Sequence, residues 1–338
     1  MIFVLPVVFL VSAALTYGIR NYCLARGIVD VPNQRSSHNR IVARGGGIGF
    51  SFIFLLAIVI LGIRGIVATN VTIAIVGGGG AVALTGWVDD RKGLKQLSRI
   101  FLHLVSAAWA VAWLGPVPPL PLGSVSWNWG WMGQLTVVIA FAWLINLYNF
   151  MDGTDGIAGI EAVTVALLAG GLCFLAGFAA MSSVYGLLAC AVAGFLVWNW
   201  PPARIFMGDA GSGFLGFVFA SLACWAFMSE TRLLWPCVIL LSVFIADATT
   251  TLLRRMAKGE QWYEAHRSHA YQKIARRVGH RPVAIGVGIL NVLVLGPVAW
   301  LAWLHPRYGF QLMLSVNAVL AILILMTPDA GPDNARAI

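Results

Sequence analysis

The chain has 338 residues, of which 59% are hydrophobic and only 10% are charged. An ordinary soluble domain carries about 25% charged residues, so a soluble fold of this size and intrinsic disorder are both excluded. The formal charge of +9 would suggest nucleic acid in a soluble protein; here it points to orientation in a bilayer and to affinity for anionic lipid or phosphate, with no nucleic-acid partner.

Apolar runs recur from end to end, which predicts an all-α polytopic membrane protein with one transmembrane domain over 1–338. Eleven runs reach, or nearly reach, the length that spans about 30 Å of hydrocarbon. They lie at about 1–19, 46–68, 71–88, 100–115, 132–149, 157–177, 183–200, 213–228, 233–252, 283–304 and 310–327. The third and eighth are short. The first has no basic residue before it, the wrong order for a cleavable signal, so it is expected to stay as a helix with its N-terminus outside, in the periplasm. The cytoplasmic connections then fall at about 20–45, 89–99, 150–156, 201–212 and 253–282. Nineteen of the 22 Lys and Arg lie on that side or in the tail; only Arg64, Arg232 and Arg307 lie outside. This split supports the count and a cytoplasmic C-terminus. The outside connection 116–131 holds Trp127, Trp129 and Trp131, which suit an interfacial belt. Cys23, Cys173, Cys190, Cys224 and Cys237 sit in or beside apolar runs without a CxxC spacing, and read as buried small residues.

Ten of the 13 acidic residues gather at the inside connections or nearby helix ends. Charged groups near lipid are costly and are functional candidates. Asp89 and Asp90 end the third run; only one of two adjacent carboxylates is expected to point into the bundle. Both oppose the helix macrodipole there, so they call for cations, from Lys92 and Lys95 or from a metal. Asn149, Asp152 and Asp155 are spaced i, i+3, i+6, and would share one face if helical. Asp209 sits in the Gly-rich turn GDAGSG; it is either a helix cap or beside backbone N–H groups that suit phosphate oxygens. His266 and His269 flank Arg267 in a basic loop, more naturally an anion site than a zinc site. Asn33, Arg44 and a Gly triplet mark the first inside connection as a substrate-orienting loop. Asp247, inside the ninth run, should face the bundle. His103, His280 and His305 read as ordinary residues. This inventory suits hard-cation chemistry on a phosphate, with Mg²⁺ or Mn²⁺ held by one or two carboxylates plus substrate oxygens.

Four motifs in order resemble the polyprenyl-phosphate N-acetylhexosamine-1-phosphate transferase family, the group containing WecA and MraY. They are Asp89-Asp90; Asn149-x-x-Asp152-Gly153-x-Asp155-Gly156; Phe206-Met207-Gly208-Asp209-x-Gly211-Ser212; and His266-x-x-His269. The variant His266-Arg267-Ser268-His269 looks like the O-antigen-initiating branch. The resemblance implies transfer of a sugar 1-phosphate from a UDP-N-acetylhexosamine to undecaprenyl phosphate, releasing UMP, at the cytoplasmic face of a bacterial inner membrane. It implies Asp209 as a Mg²⁺ ligand, and Asp89 in metal binding or in deprotonating the lipid phosphate. Asp90, Asp152, Asp155, His266 and His269 would be catalytic. Asn149, Asn199 and Arg267 would bind substrate, Asn199 beside the nucleotide; Arg44, Asn33, Asp247 and Lys95 join them as substrate-binding candidates from their own positions in the sequence. Dimers occur in the family. The sugar stays open among GlcNAc, FucNAc and QuiNAc.

Two rival classes fit less well. A secondary transporter of an anionic solute would place its carboxylates near the bilayer midplane. A CDP-alcohol phosphotransferase would show a long Asp-Gly-Ala-Arg type signature, absent here.

Overall fold

The computed structural model describes residues 4–31, 41–260 and 268–328. Fourteen α-helices are found among them, with two short hairpins. The first helices are α1 (Val4–Ala25), α2 (Gly47–Ile63), α3 (Thr69–Lys92) and α4 (Gln96–Leu114). Then come α5 (Gly130–Met151), α6 (Ile157–Leu175), α7 (Ala179–Asn199) and α8 (Asp209–Ser229). The remainder are α9 (Leu234–Leu240), α10 (Ser242–Ala257), α11 (Ala270–Val278), α12 (His280–Leu290), α13 (Gly296–Leu304) and α14 (Gly309–Met326). Strand β1 (Val29–Asp30) pairs antiparallel with β2 (Val42–Ala43), and β3 (Leu120–Leu122) with β4 (Val125–Trp127).

The all-α polytopic architecture is thus present, and every apolar run expected from the sequence is met by helix. Nine helices among the described residues are long and apolar enough to cross a membrane, with His280–Leu304 taken as one. The pair α9–α10, bent by 67°, makes a tenth if it is one span, while α2 has only 17 residues.

Several boundaries differ from expectation for physical reasons. The third and eighth runs are not short. Helix α3 continues through Val88-Asp89-Asp90-Arg91-Lys92, because both carboxylates find partners there. Helix α8 starts inside the Gly-rich turn, because its glycines are used for backbone approach. A side chain on Gly216 would meet the Leu144 and Ile145 backbone of α5. One on Gly211 would meet Gly47 of α2, and one on Gly86 of α3 would meet the Asp209–Ala210 backbone. The Gly triplet of the first connection therefore has a packing use: it lets α2 lie directly against α8. The long connection after α10 is not plain loop, since it contains α11.

Helix α8 is buried along most of its length and forms the centre, with α3 and α5 packed on it. Around it stand the α6–α7 and α1–α7 pairs. Helices α1 and α14 present rows of exposed apolar side chains, among them Leu10, Val11, Leu323 and Leu325, as a lipid-facing surface requires. At one end of the bundle the C-termini of α3, α5 and α7 meet the N-termini of α4, α6 and α8. The site lies at that end.

Candidate active site

The close crossing at Gly86 places Asp90, one turn later, directly over the start of α8. Its carboxylate accepts from the backbone N–H of Asp209 at 3.0 Å and of Ala210 at 3.3 Å. It also accepts from Arg44 Nε at 2.8 Å. Asp90 is therefore the cap of α8, supplied from another helix. The residue at the N-cap position, Gly208, has no side chain to cap the helix, and Asp209 is its first residue. The backbone donors expected to meet a phosphate are already taken by Asp90.

Asp89 is turned inward as well. It accepts from the backbone N–H of Leu94 at 2.5 Å and from Arg99 Nη1 at 2.9 Å. The same Arg99 nitrogen lies 3.4 Å from Asp209 Oδ2, while Arg44 Nη2 lies 3.2 Å from Asp209 Oδ1. Both adjacent carboxylates thus face the bundle, contrary to expectation, because α8 approaches on one side and α4 on the other. The cations are not Lys92 and Lys95 either. Both lysines are exposed at the turn, and Arg44 and Arg99 do the neutralising. Burial works against Arg44's charge, but Asp90, Asp209 and Asp30 outweigh it and raise its pKa.

The Asn149–Asp155 segment is not one helical face. Helix α5 ends at Met151, and Asp152 caps its C-terminus. Asn149 Nδ2 donates to Ser212 Oγ at 3.2 Å, tying α5 to the first turn of α8. Asp155 Oδ2 accepts from the backbone N–H of Ala203 at 3.0 Å and lies 3.3 Å from His280 Nδ1. Asn199 is buried, with both ends of its amide committed: Oδ1 accepts from Gly156 N–H at 3.0 Å and Nδ2 donates to Ile205 O at 2.9 Å. This bracket joins the start of α6, the end of α7 and the 200–208 connection.

Asp152 stands apart. Its half-buried carboxylate makes no hydrogen bond or ion pair among the described residues. Burial pushes its pKa well above the usual carboxylate range, and the charges of Asp209, Asp90 and Asp155 add to this against the opposing pull of Arg44.

Asp247 faces the bundle as expected, but as an anchor for α11. It accepts from the backbone N–H of Ala270 at 3.1 Å and Tyr271 at 3.0 Å, and from Thr251 Oγ1 at 3.1 Å. His269 Nδ1 lies 3.3 Å away, and the His269 ring stacks between Phe150 and Tyr271. Tyr271 Oη donates to Phe150 O at 2.9 Å, which binds α11 to the end of α5. Burial, with the charges of Asp247 and Asp152, raises the Tyr271 hydroxyl well above its ordinary value, so it remains a donor. Asn33, His266 and Arg267 lie outside the described residues.

The carboxylates therefore sort by the bonds they already make. Asp90, Asp155 and Asp247 hold backbone in place. Asp89, which also accepts from Leu94 N–H, shares a guanidinium with Asp209, and Asp152 makes no hydrogen bond or ion pair among the described residues. Among the described residues no three His, Cys, Asp or Glu form a ready-made metal cage. Two carboxylates converging from separate helices still fit a hard cation that takes its other ligands from substrate phosphate and water. An open cleft of about 660 Å³ reaches Arg44 and Asp90 past Tyr22, Arg26, Asp30 and Arg91. Arg99 and His280 were missed in the sequence. The only signal for Arg99 was its spacing after Asp89, one turn into the next helix.

The sequence model of glycosyl transferase family 4 matches residues 71–227, from α3 through α8. A probable undecaprenyl-phosphate N-acetylglucosaminyl 1-phosphate transferase of Bacillus subtilis is 27% identical over 289 residues, covering 82% of this chain and 76% of that protein. A decaprenyl-phosphate N-acetylglucosaminephosphotransferase of Mycolicibacterium smegmatis is 28% identical over 377 residues, with 98% and 91% covered. A phospho-N-acetylmuramoyl-pentapeptide-transferase of Moorella thermoacetica is 32% identical over 188 residues, with 51% and 57% covered.

Proposed function

We propose that this chain, which belongs to the superfamily of polyprenyl-phosphate N-acetylhexosamine-1-phosphate transferases, moves the sugar 1-phosphate of a UDP-N-acetylhexosamine onto undecaprenyl phosphate. UMP leaves, and the lipid-diphosphate sugar begins an O-antigen or related surface glycan. The site would lie at the cytoplasmic face of the inner membrane, where a nucleotide sugar arrives from water and the lipid from the bilayer. The observation that carries this reading is the meeting of Asp89 of α3 and Asp209 of α8 at one guanidinium, Arg99 of α4, beside Arg44.

Phosphoryl transfer is mostly positioning and charge neutralisation. Arg44 and Arg99 are charged, partly buried and already aimed at the carboxylates where a diphosphate would be bound. Asp90 fixes the first turn of α8, and so fixes Asp209. Asp155 and Asn199 fix the turn that carries Asp152. Asp247 fixes His269, and Arg267 and His266 belong to the same reading as diphosphate contacts. Asp89 and Asp209 would hold Mg²⁺, which supplies charge neutralisation on the phosphate oxygens. The second pKa of a phosphate monoester is about 6, so the lipid phosphate is mostly a dianion at neutral pH and needs no strong base. Its oxygen forms a bond to the β-phosphorus of the donor as the bond to the UMP oxygen breaks.

The test supplies purified protein with undecaprenyl phosphate, Mg²⁺ and a panel of UDP-N-acetylhexosamines, including 6-deoxy sugars. UMP release that requires lipid, and is lost in Asp209→Asn, supports the reading and names the sugar. No release with any donor from folded protein contradicts it. Stoichiometric UMP release without lipid, with label retained on the protein, would replace direct attack by a phospho-enzyme route.

A further inference from the structure

Outside the site, the bundle interior holds a second polar cluster. Glu161 of α6 is completely buried, and so is Asn291, which opens a π-turn (Asn291–Leu295) between α12 and α13. Asn291 Nδ2 donates to Glu161 Oε2 at 2.7 Å and to Thr164 Oγ1 at 2.8 Å, which uses both of its hydrogens. The other two oxygens of the pair, Glu161 Oε1 and Asn291 Oδ1, are buried without a hydrogen-bond partner among the described residues. No cation pairs with Glu161 among the described residues. An ionised carboxylate would leave a full charge and two orphaned acceptors inside the bundle, a costly arrangement.

One proton resolves all of this. With Oε1 protonated, Glu161 donates to Asn291 Oδ1 while Asn291 Nδ2 donates to Glu161 Oε2, which closes a two-bond acid–amide ring. The buried Tyr148 hydroxyl of α5 also lacks a partner, but a bond from it to Glu161 would leave the charge and the Asn291 oxygen unsatisfied. We propose that Glu161 is a resident neutral carboxylic acid, and that its ring with Asn291 clamps α6 to the π-turn as a positioning device for the active site.

The placement gives the clamp its leverage. Helix α6 starts immediately after the turn bearing Asp152 and Asp155. Helix α12 starts at His280, which touches Asp155, and comes after α11, whose N-cap residue is His269. The two helices are thus joined at the site and again within the bundle. A π-turn adds a residue to one helical turn, so it sets the rotation of α12 relative to α13, and such turns recur at functional sites. Asn291 reaches Glu161 from the first residue of that turn.

The positioning half of this proposal rests on the transferase reading; the protonation half does not, and the experiment reads them separately. Glu161→Gln places N–H where the acid has O–H and can close the same ring. Glu161→Leu and Asn291→Leu cannot. Infrared difference spectra of wild type against Glu161→Gln should show a protonated-carboxyl C=O band at neutral pH that only the wild type has. Glu161→Gln should keep a thermal midpoint and UMP turnover close to wild type. The two Leu variants should lose about tenfold or more in kcat with little change in KM. Absence of the band, or a Gln variant as impaired as the Leu variant, overturns the proposal. If no variant and no wild type releases UMP, yet the band is present and Glu161→Gln keeps the wild-type midpoint, the transferase reading fails and the protonated clamp stands.

Discussion

Asp90 offers a direct separation of scaffold from chemistry. In Asp90→Asn the charge facing Arg44 disappears, and an amide that can accept from only one side replaces a carboxylate receiving three hydrogen bonds, two of them from the start of α8. Breaking a fully buried ion pair costs about 3–5 kcal/mol, and an exposed pair is worth about 0.2–1 kcal/mol. The Asp90 side chain is 2% exposed and that of Arg44 is 38% exposed, so this pair falls between those limits. Loss of a helix cap adds about 1 kcal/mol. A total near 3 kcal/mol is therefore expected, on the order of several degrees in thermal midpoint. The assay is thermal unfolding of purified protein in detergent without substrate, run beside UMP release. Both should fall in Asp90→Asn. An unchanged midpoint with activity abolished would mean that Asp90 acts on substrate and does not cap α8.

Asp152 should behave oppositely. Its raised pKa means that the folded chain holds this proton more tightly than the unfolded chain, so stability declines as pH rises through the raised value. Asp152→Asn should remove that slope, raise the midpoint at neutral and alkaline pH but not near pH 4 (about the unperturbed carboxyl value), and abolish UMP release; a lower midpoint at neutral pH would contradict the assignment. Gly86→Ala forces a methyl against the Asp209–Ala210 backbone and should cost about 1–3 kcal/mol along with most activity, measured by the same two assays. Chelation should end UMP release and added Mg²⁺ restore it. Arg99→Gln removes the cation shared by Asp89 and Asp209, so it should tighten Mg²⁺ binding in a thermal-shift titration while slowing turnover; weaker binding would place the metal elsewhere.

The membrane class and the place of each long apolar helix, though not of α11, could be read from apolar run length alone, because twenty-residue runs have few other uses. The acidic motifs were equally legible, since a carboxylate near lipid needs a reason. The division of labour among them was not. Asp89 and Asp90 are indistinguishable in sequence, and their different partners depend on α8 touching α3 at Gly86 and α4 returning beside it. Lys95 and Arg99 are four residues apart in a basic stretch, and only the direction of α4 decides which reaches the carboxylates. Asn199 reads as a ligand contact beside Pro201-Pro202, yet its amide is spent on Gly156 and Ile205. An inward-facing Asp247 is legible from its place inside an apolar run, but its partner, the start of α11, comes from a stretch that reads as plain basic loop. The π-turn at Asn291 leaves no mark on the apolar pattern at all.

In the proposed reaction a sugar 1-phosphate, and not the sugar alone, passes to the lipid. Donor labelled in its β-phosphate, incubated with the protein and undecaprenyl phosphate, tests it directly. Label is expected in the lipid product and UMP in solution. Label left in soluble UDP, with sugar on the lipid, would contradict it.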